Sequence, residues 1–119
     1  MVLSFYCYPK CGTCRKAKKW LEDHQIEYNE IHIVENTPTS EEIEKIYKNS
    51  HFELKKFFNT SGMKYRELGL KDKIGILTEN ELFDILASDG MLIKRPLVTD
   101  GHKVTLGFKE EEFEKTWND

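Results

Sequence analysis

Cys7, Cys11 and Cys14 lie within the segment Tyr6-Cys7-Tyr8-Pro9-Lys10-Cys11-Gly12-Thr13-Cys14-Arg15, and they are the only cysteines in the chain. Such a cluster admits four chemistries. The thiols can be buried and inert, the plain reading for Cys7 directly after an apolar run. They can bind zinc if one of His24, His32, His51 or His102 completes the set, although the histidines are scattered singly rather than paired. The Cys-x-x-x-Cys-x-x-Cys spacing also matches the iron–sulfur motif of radical S-adenosylmethionine enzymes, whose barrel is much larger than 119 residues allow. The fourth chemistry is thiol–disulfide exchange. Cys11 and Cys14 are one helical turn apart, so a thiolate at Cys11 can attack a substrate sulfur and Cys14 can resolve the adduct.

The elements around the cluster favour exchange. Val2 to Tyr6 reads as a short buried strand entering it. From Gly12 to about His24, the apolar residues Ala17, Trp20 and Leu21 fall at three- and four-residue spacings, with Lys16, Lys18 and Lys19 on the wet face. Cys11 then stands where a helix begins, and the free N–H groups and macrodipole there favour a thiolate. Gly12 and Thr13 suit close approach of a substrate, and Lys10 and Arg15 flank the nucleophile with positive charge.

Alternation over Glu27 to Val34 predicts a second strand, which makes a parallel βαβ unit with a right-handed crossover. Thr39 with Glu42, and Thr78 with Glu81, are capping boxes ahead of the apolar stripes Ile43/Ile46/Tyr47 and Leu82/Phe83/Ile85/Leu86. Between them Phe52 to Phe58 predicts a helical stretch, and Tyr65 to Leu68 a further turn stopped by Gly69. Asp89-Gly90 is expected to close the last of these helices. Leu97 to Leu106 reads as a β-hairpin turning at Asp100-Gly101. Phe113 and Trp117, four residues apart, predict a final helix lying on the sheet. The expected architecture is α/β: one thioredoxin-like domain over 1–119, with a mixed four-stranded sheet, flanking helices and a helical insert at about 39–90.

Charged residues make up 33% and the net charge is −3, so neither a broad nucleic-acid surface nor a disordered chain is expected. No segment has the length of a membrane span, and Met1-Val2-Leu3-Ser4-Phe5 lacks the features of a secretory leader. The expected compartment is a reducing cytoplasm, where a Cys-x-x-Cys pair is redox-active or metal-binding rather than structural.

The motifs Tyr-x-x-Pro-Lys-Cys-Gly-Thr-Cys-Arg-Lys-Ala, Thr-Pro-Thr, Tyr-Arg-Glu-Leu-Gly-Leu and Ile-Lys-Arg-Pro-Leu-Val together resemble the arsenate reductase (ArsC)/Spx family, from about residue 3 to residue 114. The resemblance implies a cis-proline at Pro96 shaping the substrate groove with Gly12 and Thr13, and Arg95 facing the active-site loop. It adds Arg95 to Cys11 and Cys14 as catalytic; from the residues alone Cys7 reads as a candidate accessory thiol, and no bound metal or cofactor is expected. Glutathione with glutaredoxin, or thioredoxin, would donate electrons, and the partner would be a protein thiol or disulfide. Without the resemblance, Arg95-Pro96 reads as an exposed arginine before an edge-strand proline. Arsenate reductases of this family carry a histidine where Cys7 stands and arginines at about Asn59 and Gly107, and usually lack a counterpart of Cys14. The Spx branch shares the cysteine pair and the stretch Val104 to Glu111. It implies a redox-sensing transcriptional regulator that contacts the RNA polymerase α subunit, at a glycine replaced here by about Glu53.

Overall fold

The computed structural model describes residues 2–118; residues 1 and 119 of the expected unit lie outside the described residues. Strand β1 (Leu3–Cys7) leads into α1 (Gly12–Asp23), and β2 (Tyr28–His32) returns parallel to β1. An insert follows, with α2 (Ser40–Asn49), α3 (Met63–Glu67) and α4 (Glu79–Ser88). The chain closes with β3 (Leu97–Thr99), β4 (Val104–Leu106) and α5 (Glu110–Trp117). The sheet order is β2-β1-β3-β4, with β3 antiparallel to both β1 and β4. This is the mixed four-stranded α/β sheet that the element order predicts.

Strand alternation divides the apolar residues into two cores. Leu3, Phe5 and Cys7 face one side of β1, where Ala17, Trp20 and Leu21 of α1 and Phe113 and Trp117 of α5 cover them. Tyr6 faces the other side, with Leu97 and Val104, under the insert residues Ile43, Ile46, Leu82 and Leu86. Trp20 meets Phe113 edge-to-face with centroids 5.3 Å apart, and Trp117 Nε1 donates to buried Thr105 Oγ1 at 3.1 Å. Helix α5 is thereby tied both to α1 and to the sheet.

Both capping boxes form: Thr39 and Thr78 Oγ1 accept from the Glu42 and Glu81 amides, and those glutamates accept from the cap amides. The insert is less regular than its apolar spacing predicts. Phe52 to Phe58 contains only a 3₁₀ turn at Leu54–Phe57, because the two aromatic side chains at its end are buried in the core and the chain turns extended at Phe58.

Helix α4 ends at Asp89-Gly90 as expected, with Asp89 rather than a left-handed glycine as its C-cap. Asp89 is extended at φ −159°, and its carboxylate caps a new 3₁₀ turn, Gly90–Leu92, by accepting from the Met91 amide at 2.9 Å. Glycine is required at 90 for a different reason: a Cβ there would lie 2.0 Å from the Ile33 carbonyl oxygen. The stretch after β2 and the end of the insert touch backbone to backbone at this point. Gly90→Ala is expected to destabilise the fold by about 3 kcal/mol or more, since neither backbone can yield without moving buried neighbours. Denaturant unfolding of the variant, with its midpoint compared to the parent, measures this.

Candidate functional site

The site forms where three strand ends meet. The Cys11 amide donates to the Tyr8 carbonyl at 2.9 Å, turning the chain from β1 into α1, and Cys11 becomes the N-cap residue with extended backbone (φ −88°, ψ 119°). Its carbonyl accepts from the Arg15 amide at 3.2 Å, the first bond of the helix. The register Tyr6↔Leu97 brings the residues just before β3 beside those just after β1. The Arg95 guanidinium accordingly lies 5.4 Å from the centroid of the Tyr8 ring. Leu97↔Leu106 does the same for the chain beyond β4, and the Gly107 amide donates to the Pro96 carbonyl at 2.9 Å.

A cavity of about 360 Å³ opens at this junction. Cys11 and Thr13 line it from the α1 side, Asn59 and Ser61 from the insert, Lys94 and Arg95 from the approach to β3, and Gly107 and Lys109 from the approach to α5. Gly12 and Pro96 are not among its lining residues: Gly12 is exposed, and Pro96 is buried after a cis Arg95–Pro96 peptide. Asn59 and Gly107 do line the wall.

The three thiols differ. Cys11 is partly exposed, whereas Cys7 and Cys14 are buried. Burial acts to raise the Cys11 pKa, but the Cys14 amide and thiol, the Thr13 amide and the Arg95 charge together outweigh it and bring the group below its ordinary value. Cys14 is pushed up to about 12, chiefly by burial and further by the Cys11 charge, although the Tyr8 amide donates to its Sγ at 3.4 Å.

Lys10 and Arg15 play no part at the Cys11 cavity. Lys10 is exposed, and Arg15 lines a second cavity of about 230 Å³ on the other side of the loop, bordered by Cys7, Cys14, Lys18 and Glu30. Cys7 donates to Glu30 Oε2 at 3.4 Å, and Glu30 pairs with Lys18 at 2.9 Å. Burial and then Glu30 push the Cys7 thiol up to about 12. Among the described residues, no group of three or more His, Cys, Asp or Glu side chains is placed to hold a metal ion. Nor is any described helix long and apolar enough to cross a membrane.

Lys94, Lys109 and Ser61 enter the site unannounced by the sequence. Lys94 was visible beside Arg95 in Ile-Lys-Arg-Pro, but only the strand register brings Lys109 to the same wall.

The fold and the loop define a thioredoxin-like α/β protein with a Cys-x-x-Cys pair opening its first helix. The ArsC family model matches residues 6–116, and the chain belongs to this family. It is similar to the uncharacterized protein YusI of Bacillus subtilis (strain 168), with 66% identity over 98% of this chain and 99% of that protein. Global transcriptional regulator Spx 2 of Bacillus cereus is 33% identical over 92% of this chain and 82% of its own. A crystal structure of an ArsC family related protein from Bacteroides fragilis superposes with a TM-score of 0.92 at 49% identity, covering 97% of each chain.

Cys11 is expected to be alkylated first in the folded protein, with Cys7 and Cys14 labelled only on unfolding. The pH at which Cys11 labelling is half-maximal should lie below that of an ordinary thiol. Arg95→Gln should move it upward, because removing a nearby positive charge disfavours the thiolate. Mass-resolved iodoacetamide labelling across a pH series checks both.

Proposed function

We propose that the protein is a cytoplasmic thiol–disulfide oxidoreductase of the ArsC family, acting through Cys11 as nucleophile and Cys14 as resolving thiol. The observation that carries this reading is the opposite treatment of the two thiols: Cys11 is lowered and open to a cavity, Cys14 raised and buried one turn on. Cys11 attacks as an anion, while Cys14 waits as a neutral thiol until the adduct forms. Arg95 holds the thiolate electrostatically, and Thr13 shapes the approach. The protein binds no cofactor in this reading; glutathione with glutaredoxin, or thioredoxin, resets the disulfide.

Arsenate reduction fits the cavity less well. Arginines at the positions of Asn59 and Gly107 would each give an oxyanion a charge-assisted hydrogen bond worth about 1.5–3 kcal/mol. Losing both weakens capture by several hundredfold or more. Little arsenate turnover is expected in a glutaredoxin- or thioredoxin-coupled assay.

A second reading is a redox-sensing regulator that binds the RNA polymerase α subunit, favoured by similarity to a transcriptional regulator over nearly the whole chain. Glu53 stands exposed at the start of the Leu54–Phe57 turn, where it would add charge to such a contact. Capture of the α C-terminal domain by oxidised but not reduced protein would support this reading; no capture in either state would remove it.

Cys11→Ser is expected to abolish disulfide exchange, and Cys14→Ser to accumulate mixed disulfides at Cys11 that mass spectrometry can identify. Small and equal effects of the two substitutions would contradict the assigned roles.

A further inference from the structure

Three cations, Lys94, Arg95 and Lys109, line the Cys11 cavity, and no carboxylate does. None of the three forms an ion pair among the described residues, as is true of most lysines and arginines of the chain. Arg95 donates only to the Met91 and Ile93 carbonyls, at 3.3 and 3.5 Å, and its buried Nε has no partner. Both lysines are anchored through the backbone. The Lys94 amide donates to the Phe57 carbonyl at 2.8 Å, and the Lys109 carbonyl accepts from the Phe113 amide at 3.0 Å. The Lys94 stem crosses Gly107, where an added Cβ would come within 3.2 Å of its Cε. Lys109 also lines a different cavity, with Glu110, Glu111 and Glu114, none of which lines the Cys11 cavity. Positive charge concentrated in one recess, with no internal counter-charge, raises the local concentration of anions.

We propose that this cavity selects disulfides carrying a carboxylate close to the sulfur, as in the mixed disulfide of a small acidic thiol, with Lys94 and Lys109 supplying the selection. The proposal rests on the thiol–disulfide reading and names its substrate class. A recess of about 360 Å³ accommodates a small molecule rather than an extended chain. The Cys11 thiolate attacks one substrate sulfur; a Cys11–S bond forms, the substrate S–S bond breaks, and one half leaves as a thiolate with the electron pair. Cys14 then attacks the Cys11 sulfur, the second half leaves, and the proton from Cys14 passes to a departing thiolate. The substrate disulfide is reduced to one thiol and one thiolate, and the Cys11–Cys14 pair is oxidised by two electrons.

The test follows the reduced protein with three small disulfides: dithiobis(nitrobenzoate), with a carboxylate on each half, neutral dithiodipyridine, and cationic cystamine. Each rate is normalised to that of mercaptoethanol with the same probe. The expected order is anionic, then neutral, then cationic. In each of Lys94→Gln and Lys109→Gln the anionic-to-neutral ratio should fall about three- to tenfold, and high salt should reduce the parent's ratio similarly. Lys16→Gln, on the outward face of α1, should leave the ratio as it is. An equal fall in Lys16→Gln, an unchanged ratio in both cavity variants, or brisk reaction without charge preference would overturn the proposal and leave the exchange reading standing. A long peptide disulfide with the same carboxylates reacting faster than the small probe would overturn the small-molecule assignment. Failure of Cys11 to react with any probe would overturn the exchange reading and this proposal together.

Discussion

Strand β1 pairs with a parallel neighbour on one side and an antiparallel neighbour on the other, and this placement organises the rest of the molecule. The parallel partner requires a crossover, so α1 must begin at the end of β1 and run back over the sheet. Its N-terminus is therefore held at the C-terminal end of β1, with Cys11 as the N-cap. The antiparallel partner β3 begins at that same end, which brings Arg95 to Tyr8 and, through β4, Gly107 to Pro96. Segments 84 and 96 residues from Cys11 in sequence become walls of its cavity.

The same geometry separates the two thiols. One turn of α1 carries the chain from a partly exposed cap position to the buried stripe that faces Phe5 and Val98. Helix-terminal amides and the Arg95 charge act on Cys11, while burial and the neighbouring anion act on Cys14. A difference in acidity between two like groups three residues apart thus comes from their unequal burial and from the amides and charge gathered around Cys11. Cys7 falls on the same face of β1 as Phe5 and is drawn into a separate polar contact with Glu30, away from the cavity that Cys11 lines.

Apolar periodicity and capping chemistry are local properties, and they were legible wherever an element is decided locally. The stripe of α1, both capping boxes, the β-strands and the placement of Phe113 and Trp117 on a final helix all followed from spacing. Where the core overrides spacing, the reading ran too regular: Phe52 to Phe58 has helical spacing but turns to bury Phe57 and Phe58. Asp89-Gly90 does follow the end of α4, yet what demands glycine at 90 is the Ile33 carbonyl, more than fifty residues away in the chain.

The sequence by itself determined the order of strands and helices, the position of Cys11 at a helix start and the one-turn spacing of Cys11 and Cys14, because each depends on residues within a few turns of one another. Only the tertiary structure decided what surrounds that pair. Lys10 and Arg15 are close in sequence but lie outside the cavity, whereas Lys94, Arg95 and Lys109 reach it because strand registers bring their backbones to one end of the sheet. Charge acts through space, and no local pattern encodes the distances between segments that meet only when the sheet is assembled.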